Sequence, residues 1–156
     1  MKEKWIGFCG AVFVLVIIFS LHSFAAGIEM PPDIKACEIV TGEEVAEMAG
    51  AKLLTKPGST SFFCYYVVEL EGGAAENYNL TFDSASSAQL LLDHMSAGEK
   101  GEKIEGILDE AYMGKENLSE QIALRALRHG KLGMTVTGDR AEVVLKIAKL
   151  AASRLP

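Results

Sequence analysis

The sequence has few of the residues that carry chemistry. Its 156 residues include three cysteines, three histidines and one tryptophan. A zinc site needs three or four nitrogen, sulfur or oxygen ligands in a tetrahedron. His94 and His129 stand far apart, each in an ordinary surface context, so no metal is expected. No Gly-x-Ser-x-Gly elbow or Ser-x-x-Lys pair is present, and no Gly-Lys-Ser/Thr follows the glycines at 72–73 or 98–101. These absences argue against the common serine hydrolases and nucleotide-binding loops, and no cofactor is expected. Basic residues are also in deficit, 15 against 21 acidic, for a formal net charge of -6. An acidic chain repels phosphate backbones, which argues against nucleic acid as a partner. Only four prolines occur, and no repeat, low-complexity stretch or linker divides the chain.

One long apolar run is present, from Ile6 to Leu21, preceded by Lys2 and Lys4. It is shorter than the ~20 residues that span a bilayer. Small residues follow it, and Ser23 and Ala25 fit the small-x-small rule of a secretory signal peptide. The reading is therefore a signal peptide over 1–25 cut after Ala25, an extended leader over 26–36 containing Pro31-Pro32, and a single domain over 37–156. The chain is expected to be exported, periplasmic or extracellular. The rival is an uncleaved N-terminal anchor, which would be the chain's one contact with a membrane. A lipid anchor is not expected, because Cys9 stands before most of the apolar run instead of after it.

Cleavage would leave Cys37 and Cys64, an even pair in an exported chain. Oxidising compartments favour one disulfide between them. The alternative is two free buried thiols.

Periodicity supplies the elements. Thr41-Gly-Glu-Glu44 reads as a capping box opening a helix that ends at Gly50. Ala51 to Ser61 reads as a loop or hairpin. Phe62 to Leu70 is the strongest strand, apolar on both sides, so it is either covered on both faces or exposes a greasy surface, and the expected fold takes the first. Asn77 to Phe82 returns beside it, with Tyr78, Leu80 and Phe82 inward and Asn77, Asn79 and Thr81 outward. A helix follows over about Ser84–Ala97, with Ser86-x-x-Gln89 as its cap and Leu91, Leu92 and Met95 as its apolar stripe. Lys103–Leu108 and Ala111–Met113 are short strand candidates. Gln121–Arg128 and Lys131–Thr137 form a hairpin about His129-Gly130. A last helix opens at Asp139-x-x-Glu142. The expected fold is α+β, in the order α-β-β-α-β-β-β-α: a mainly antiparallel sheet of about five strands with helices packed on both faces.

Several of these residues together resemble a family. Cys37 precedes the helix Thr-Gly-Glu-Glu-Val-Ala-Glu-Met-Ala-Gly; Cys64-Tyr65 follows in a strand; then come Gly106-Ile-Leu-Asp109-Glu-Ala111-Tyr112 and an Arg-Leu ending. The pattern resembles secreted bacterial domains of unknown function, many of them actinobacterial lipoproteins. Members usually read Gly-Leu-Gly-Asp-x-Ala, where this chain has Leu108 at the third position, and lipoprotein members carry a lipidated cysteine that this chain lacks. The resemblance implies a layout and a cysteine pair, and no catalytic residue.

The acids Glu43-Glu44, Glu69/Glu71 and Asp109-Glu110 read as solvated surface. The expected function is a non-enzymatic envelope module that binds a partner protein, an envelope component or a small apolar ligand. The alternative is a small extracytoplasmic hydrolase or isomerase with an unrecognised site of acids and tyrosines. The partner-binding candidates are Asp109, Tyr112 and Met113 at a chain reversal, with Arg125 on the neighbouring hairpin. Loops often carry function, tyrosine and methionine are enriched at interfaces, and Arg125 could reach the same edge. The competing reading packs Tyr112 and Met113 into the core.

Overall fold

The computed structural model describes residues 34–55, 57–97, 101–116 and 119–155. The signal segment with its cut after Ala25, and the leader up to residue 33, lie outside the described residues. Among the described residues two short helices come first, α1 (Ala36–Ile39) and α2 (Gly42–Ala49). Strands β1 (Lys52–Leu53), β2 (Gly58–Thr60), β3 (Phe63–Glu69) and β4 (Ala75–Asp83) follow, then helix α3 (Ala85–Ala97). The second half comprises β5 (Gly101–Lys103), β6 (Glu110–Lys115), β7 (Ile122–Arg128), β8 (Leu132–Gly138) and helix α4 (Ala141–Arg154).

All strand pairings are antiparallel, in the order β1-β3-β4-β8-β7-β6-β5. The fragments β1 and β2 share one position, since β1 pairs with the Val68–Glu69 end of β3 and β2 with its Phe63–Tyr65 end. The central contact joins β4 to β8, bringing the two halves of the chain together.

One face of this sheet, the closed face, carries the core. Cys64, Tyr66, Val68, Tyr78, Leu80, Phe82, Leu124, Met134 and Val136 point into it and are buried. Helix α4 covers it with Val143, Val144, Ile147, Ala148 and Ala151, and α2 adds Val45, Ala46 and Ala49. Each large apolar side chain fully buried there contributes roughly 1.5–3 kcal/mol. Polar clamps fix the helices to one another. The Arg154 guanidinium holds the Glu44 carboxylate through both its terminal nitrogens and donates to the Ile39 carbonyl at 2.7 Å. Glu44 also closes the α2 capping box, accepting from the Thr41 N–H at 2.9 Å while its own N–H donates to the Thr41 hydroxyl at 3.3 Å.

The other face carries α3 alone among the described helices, over β5 to β8. Ala85, Ala88, Leu92 and Leu127 form a small separate cluster there, with Tyr112 against it. Gly133 makes that approach possible: a Cβ built on it would lie 2.0 Å from the Ala88 Cβ. Beyond α3, over β3 and β4, no described helix covers this face. We call this part the open face.

The expected sandwich of about five strands with helices packed on both faces is therefore corrected. Among the described residues the sheet has eight strands, and the element order is α-α-β-β-β-β-α-β-β-β-β-α. Three helices crowd one face, and β3, whose two apolar sides implied cover on both, is covered on one. The extra strands are fragments of two or three residues, too short to show a period. The expected caps of the later helices also move. Ser84, not Ser86, accepts from the Ser87 N–H at α3. Arg140, not Asp139, is the N-cap of α4, with no side-chain cap, because the Asp139 carboxylate is taken up by the Asn77 N–H at 2.7 Å.

Candidate functional site

The partner-binding candidates do not form one cluster. Asp109 ends the β5–β6 turn and is exposed; its carboxylate accepts from the His129 N–H at 2.8 Å. Tyr112 and Arg125 are direct cross-strand neighbours on the α3 side of the sheet. Tyr112 is half-buried against the Leu92 and Leu127 cluster. Met113, the next residue along β6, points to the opposite side and packs on the main core. Strand alternation thus separates Met113 from Tyr112 and Arg125, while Asp109 serves the β7–β8 turn.

What the sheet does assemble is a polar surface on the open face. Register places Phe63, Thr81, Thr135, Arg125 and Tyr112 in one row across five strands. The next row holds Tyr65, Asn79, Thr137, Ala123 and Gly114. Neighbouring strands lie ~4.8 Å apart, so side chains repeat at that interval along each row. Tyr65 is 37% exposed, and its hydroxyl donates to the Asn77 Oδ1 at 2.6 Å, which fixes the ring. The Asn79 amide donates to the Thr137 hydroxyl at 3.0 Å.

Arg125 lies where the open part meets α3. Its guanidinium pairs with Glu116 at 2.6 Å, the two side chains being 17% and 27% exposed. The Arg125 Nε is buried and has no partner among the described residues. A buried donor without a partner costs about 1–3 kcal/mol unless a water or ligand supplies the acceptor. Asp83, on the same side of β4, has its carboxyl pushed above the usual range by burial, a shift the Arg125 charge partly opposes.

Acids and tyrosines also meet on the closed side, in the combination the hydrolase or isomerase alternative requires. The Tyr78 hydroxyl donates to Glu76 at 2.7 Å, and the Arg140 Nε meets the same carboxylate at 2.8 Å. Arg140 donates further to the Ala49 carbonyl at 2.6 Å. Tyr78 is fully buried and Glu76 nearly so. Burial, then the Glu76 hydrogen bond, drives the Tyr78 phenol well above its ordinary range, so it stays a donor to Glu76. The cluster joins β4 to the end of α2 and the start of α4, and its Arg140 is a third exposed.

His129 lies near two acids, its Nδ1 3.4 Å from Asp109 and its Nε2 3.7 Å from Glu110. Among the described residues no group of three or more His, Cys, Asp or Glu is arranged to hold a metal ion. Cys37 and Cys64 are joined as a disulfide with a Cα–Cα distance of 5.1 Å, tying α1 to β3. No helix among the described residues is long and apolar enough to cross a membrane.

Sequence reasoning missed Glu116 and the open row of Tyr65, Asn79 and Thr137 as a surface. The outward alternation of Asn77, Asn79 and Thr81 was the available signal. It could not show that the neighbouring strand would also present Tyr65 to solvent. Comparison of the chain with known protein families, characterised proteins and solved structures gives no match.

Proposed function

We propose that this chain is an exported, non-enzymatic binding module that holds an envelope component on the open face of its sheet. The observation that carries the reading is the contrast in cover. Over β3 and β4 the sheet is packed on one side, while the other presents Phe63, Tyr65 and Val67 beside Asn77, Asn79 and Thr81. An aromatic fixed by a hydrogen bond and flanked by polar groups offers contact area at small entropic cost. The Cys37–Cys64 disulfide supports export, since such bonds persist in oxidising compartments. The enzymatic alternative has less support, because Tyr78 and Glu76 are buried and hydrogen-bonded to one another and to Arg140.

The test is a photo-crosslinking residue, benzoylphenylalanine, placed at Tyr65 and, as control, at Glu71 in the exposed turn after β3. In producing cells, irradiation should give a discrete adduct from position 65 and none from position 71. Equal labelling at both, or none at 65, overturns the reading.

A further inference from the structure

Helices α3 and α4 lie on opposite faces of the sheet and are held there by different means. Helix α4 buries Val143, Val144, Ile147, Ala148 and Ala151 in the main core. It is also fastened at both ends, Arg140 to Glu76 and the Ala49 carbonyl, Arg154 to Glu44 and the Ile39 carbonyl. Helix α3 meets the sheet through Ala85, Ala88, Leu92 and Met95, two of them alanines. Its Leu90 and Leu91 stay exposed. The side-chain hydrogen bonds of Ser84, Gln89 and Ser96 close within the helix and its cap. Stabilisation by burial scales with apolar area, so α3 is held much the more weakly of the two.

The strands beneath α3 add a second reason for it to lift. Leu127 and Tyr112 pack against its apolar side. Arg125 is the cross-strand neighbour of Tyr112 and lies two residues from Leu127, on the same side of β7. Its Nε is buried with no partner among the described residues. Asp83, at the end of β4 that leads into α3, feels the Arg125 charge, yet burial holds its carboxyl above the usual range. Water reaching these two groups would relieve the cost of burying them, so raising the helix recovers part of the apolar contact it loses. The closed position also leaves no slack, because a Cβ on Gly133 would overlap that of Ala88. Local opening draws on segments with few buried apolar contacts, and α3 is such a segment.

We propose that α3 is a lid, which lifts from the sheet as one unit while the closed face stays folded and so bares Tyr112, Arg125 and Leu127 on β6 and β7. Access to this aromatic and cationic strip is then set by the helix and not by the sheet. The lid stands whether or not β3 and β4 hold a ligand. Native-state hydrogen exchange on the whole protein tests it. The α3 amides of residues 89–95 should be protected to a similar extent along the helix, and at least about a hundredfold less than those of residues 145–151 in α4. Gly133→Ala sets a methyl group against Ala88 and should weaken α3 protection about tenfold further, with α4 unchanged. Leu92→Ala thins the cluster without altering the sheet and should act in the same direction. The Arg125 Nε–H should lose protection together with α3 in both variants. Four results would overturn the lid: equal protection of α3 and α4, a graded loss along α3 that marks fraying from one end, variants that weaken both helices alike, or an Arg125 Nε–H that stays protected while α3 opens.

Discussion

Tyr65 and Tyr66 are neighbours in one strand and experience opposite surroundings. Tyr66 is fully buried on the closed face, its hydroxyl donating to the Val40 carbonyl at 2.7 Å. Burial pushes its phenol far above the ordinary range. Tyr65 is exposed on the open face and bonds only to another surface side chain. The same contrast runs across the sheet. On the closed face side chains are chosen for packing, and their polar atoms are engaged within the protein. On the open face over β3 and β4 the polar groups point outward, and removing them should leave stability almost untouched. Stability is thus assigned to one side of these strands, and the proposed recognition to the other.

The largest test of this division compares two phenylalanines. Phe82 is fully buried in the closed core, whereas Phe63 is only partly buried on the open side. Phe82→Ala should cost about 3–5 kcal/mol in urea unfolding, by lost transfer energy plus a cavity. Phe63→Ala should cost well under half of that. Equal losses would mean that the open face is covered after all.

Next in size is the disulfide. It closes a separation of 27 residues, and the chain-entropy model gives about 3–4 kcal/mol for such a loop. The Cys37→Ser, Cys64→Ser protein should lose that much while its open face keeps the same amide shifts. Loss of the open-face signals would show that β3 is held in place by the α1 tether and not by the core.

Much of the closed face was legible in the sequence. The alternation of Tyr78, Leu80 and Phe82 against Asn77, Asn79 and Thr81 predicted the inward and outward sides of β4, and both appear as expected. The Thr41–Glu44 capping box is present, and the cysteines are paired. That the β3 side of the open face would stay uncovered was not legible, for a physical reason. Pattern reports which residues tolerate burial, and β3 tolerates it on both sides. Whether a helix arrives depends on distant chain, and α3 is drawn to Gly133, where a side chain would block it. The strand with apolar residues buried on both sides is β7, with Leu124 toward α4 and Leu127 toward α3. Its Ile-Ala-Leu-Arg-Ala-Leu-Arg run has no clean period of two. Among the candidate site residues, Tyr112 and Arg125 were brought together and Met113 was not, which one residue of alternation decides. Leu108 has a φ of +52°, the left-handed region where glycine is preferred.

The tyrosine pair gives a finer comparison. Tyr66→Phe strands the buried Val40 carbonyl and should cost about 1–3 kcal/mol. Tyr65→Phe removes a bond between exposed groups and should cost less than about 0.5 kcal/mol. Chemical denaturation of the two variants side by side measures the difference, and the contrast fails if the costs match.

The smallest effect expected is in acid. Glu44, at the start of a helix on the closed side, has its carboxyl lowered from 4.5 to about 2, chiefly by the Arg154 hydrogen bond and next by the Thr41 N–H. Asp83, on the other side of the sheet, is raised by burial. The two carboxyls therefore pull stability in opposite directions as pH changes. A lowered folded pKa means that Glu44 stabilises fully above about 4.5 and that this contribution fades as pH falls toward 2. A raised one means that ionised Asp83 is unfavourable in the fold at neutral pH and that this penalty disappears on acidification. Glu44→Gln should then be less stable than the parent at pH 7, by about 1 kcal/mol given the partial exposure of the pair, and should converge on it near pH 2. Asp83→Asn should be slightly more stable than the parent at pH 7 and likewise converge in acid. Urea midpoints from pH 7 to pH 2 measure both differences. If the two differences had the same sign at pH 7, the opposition between the two carboxyls would be refuted.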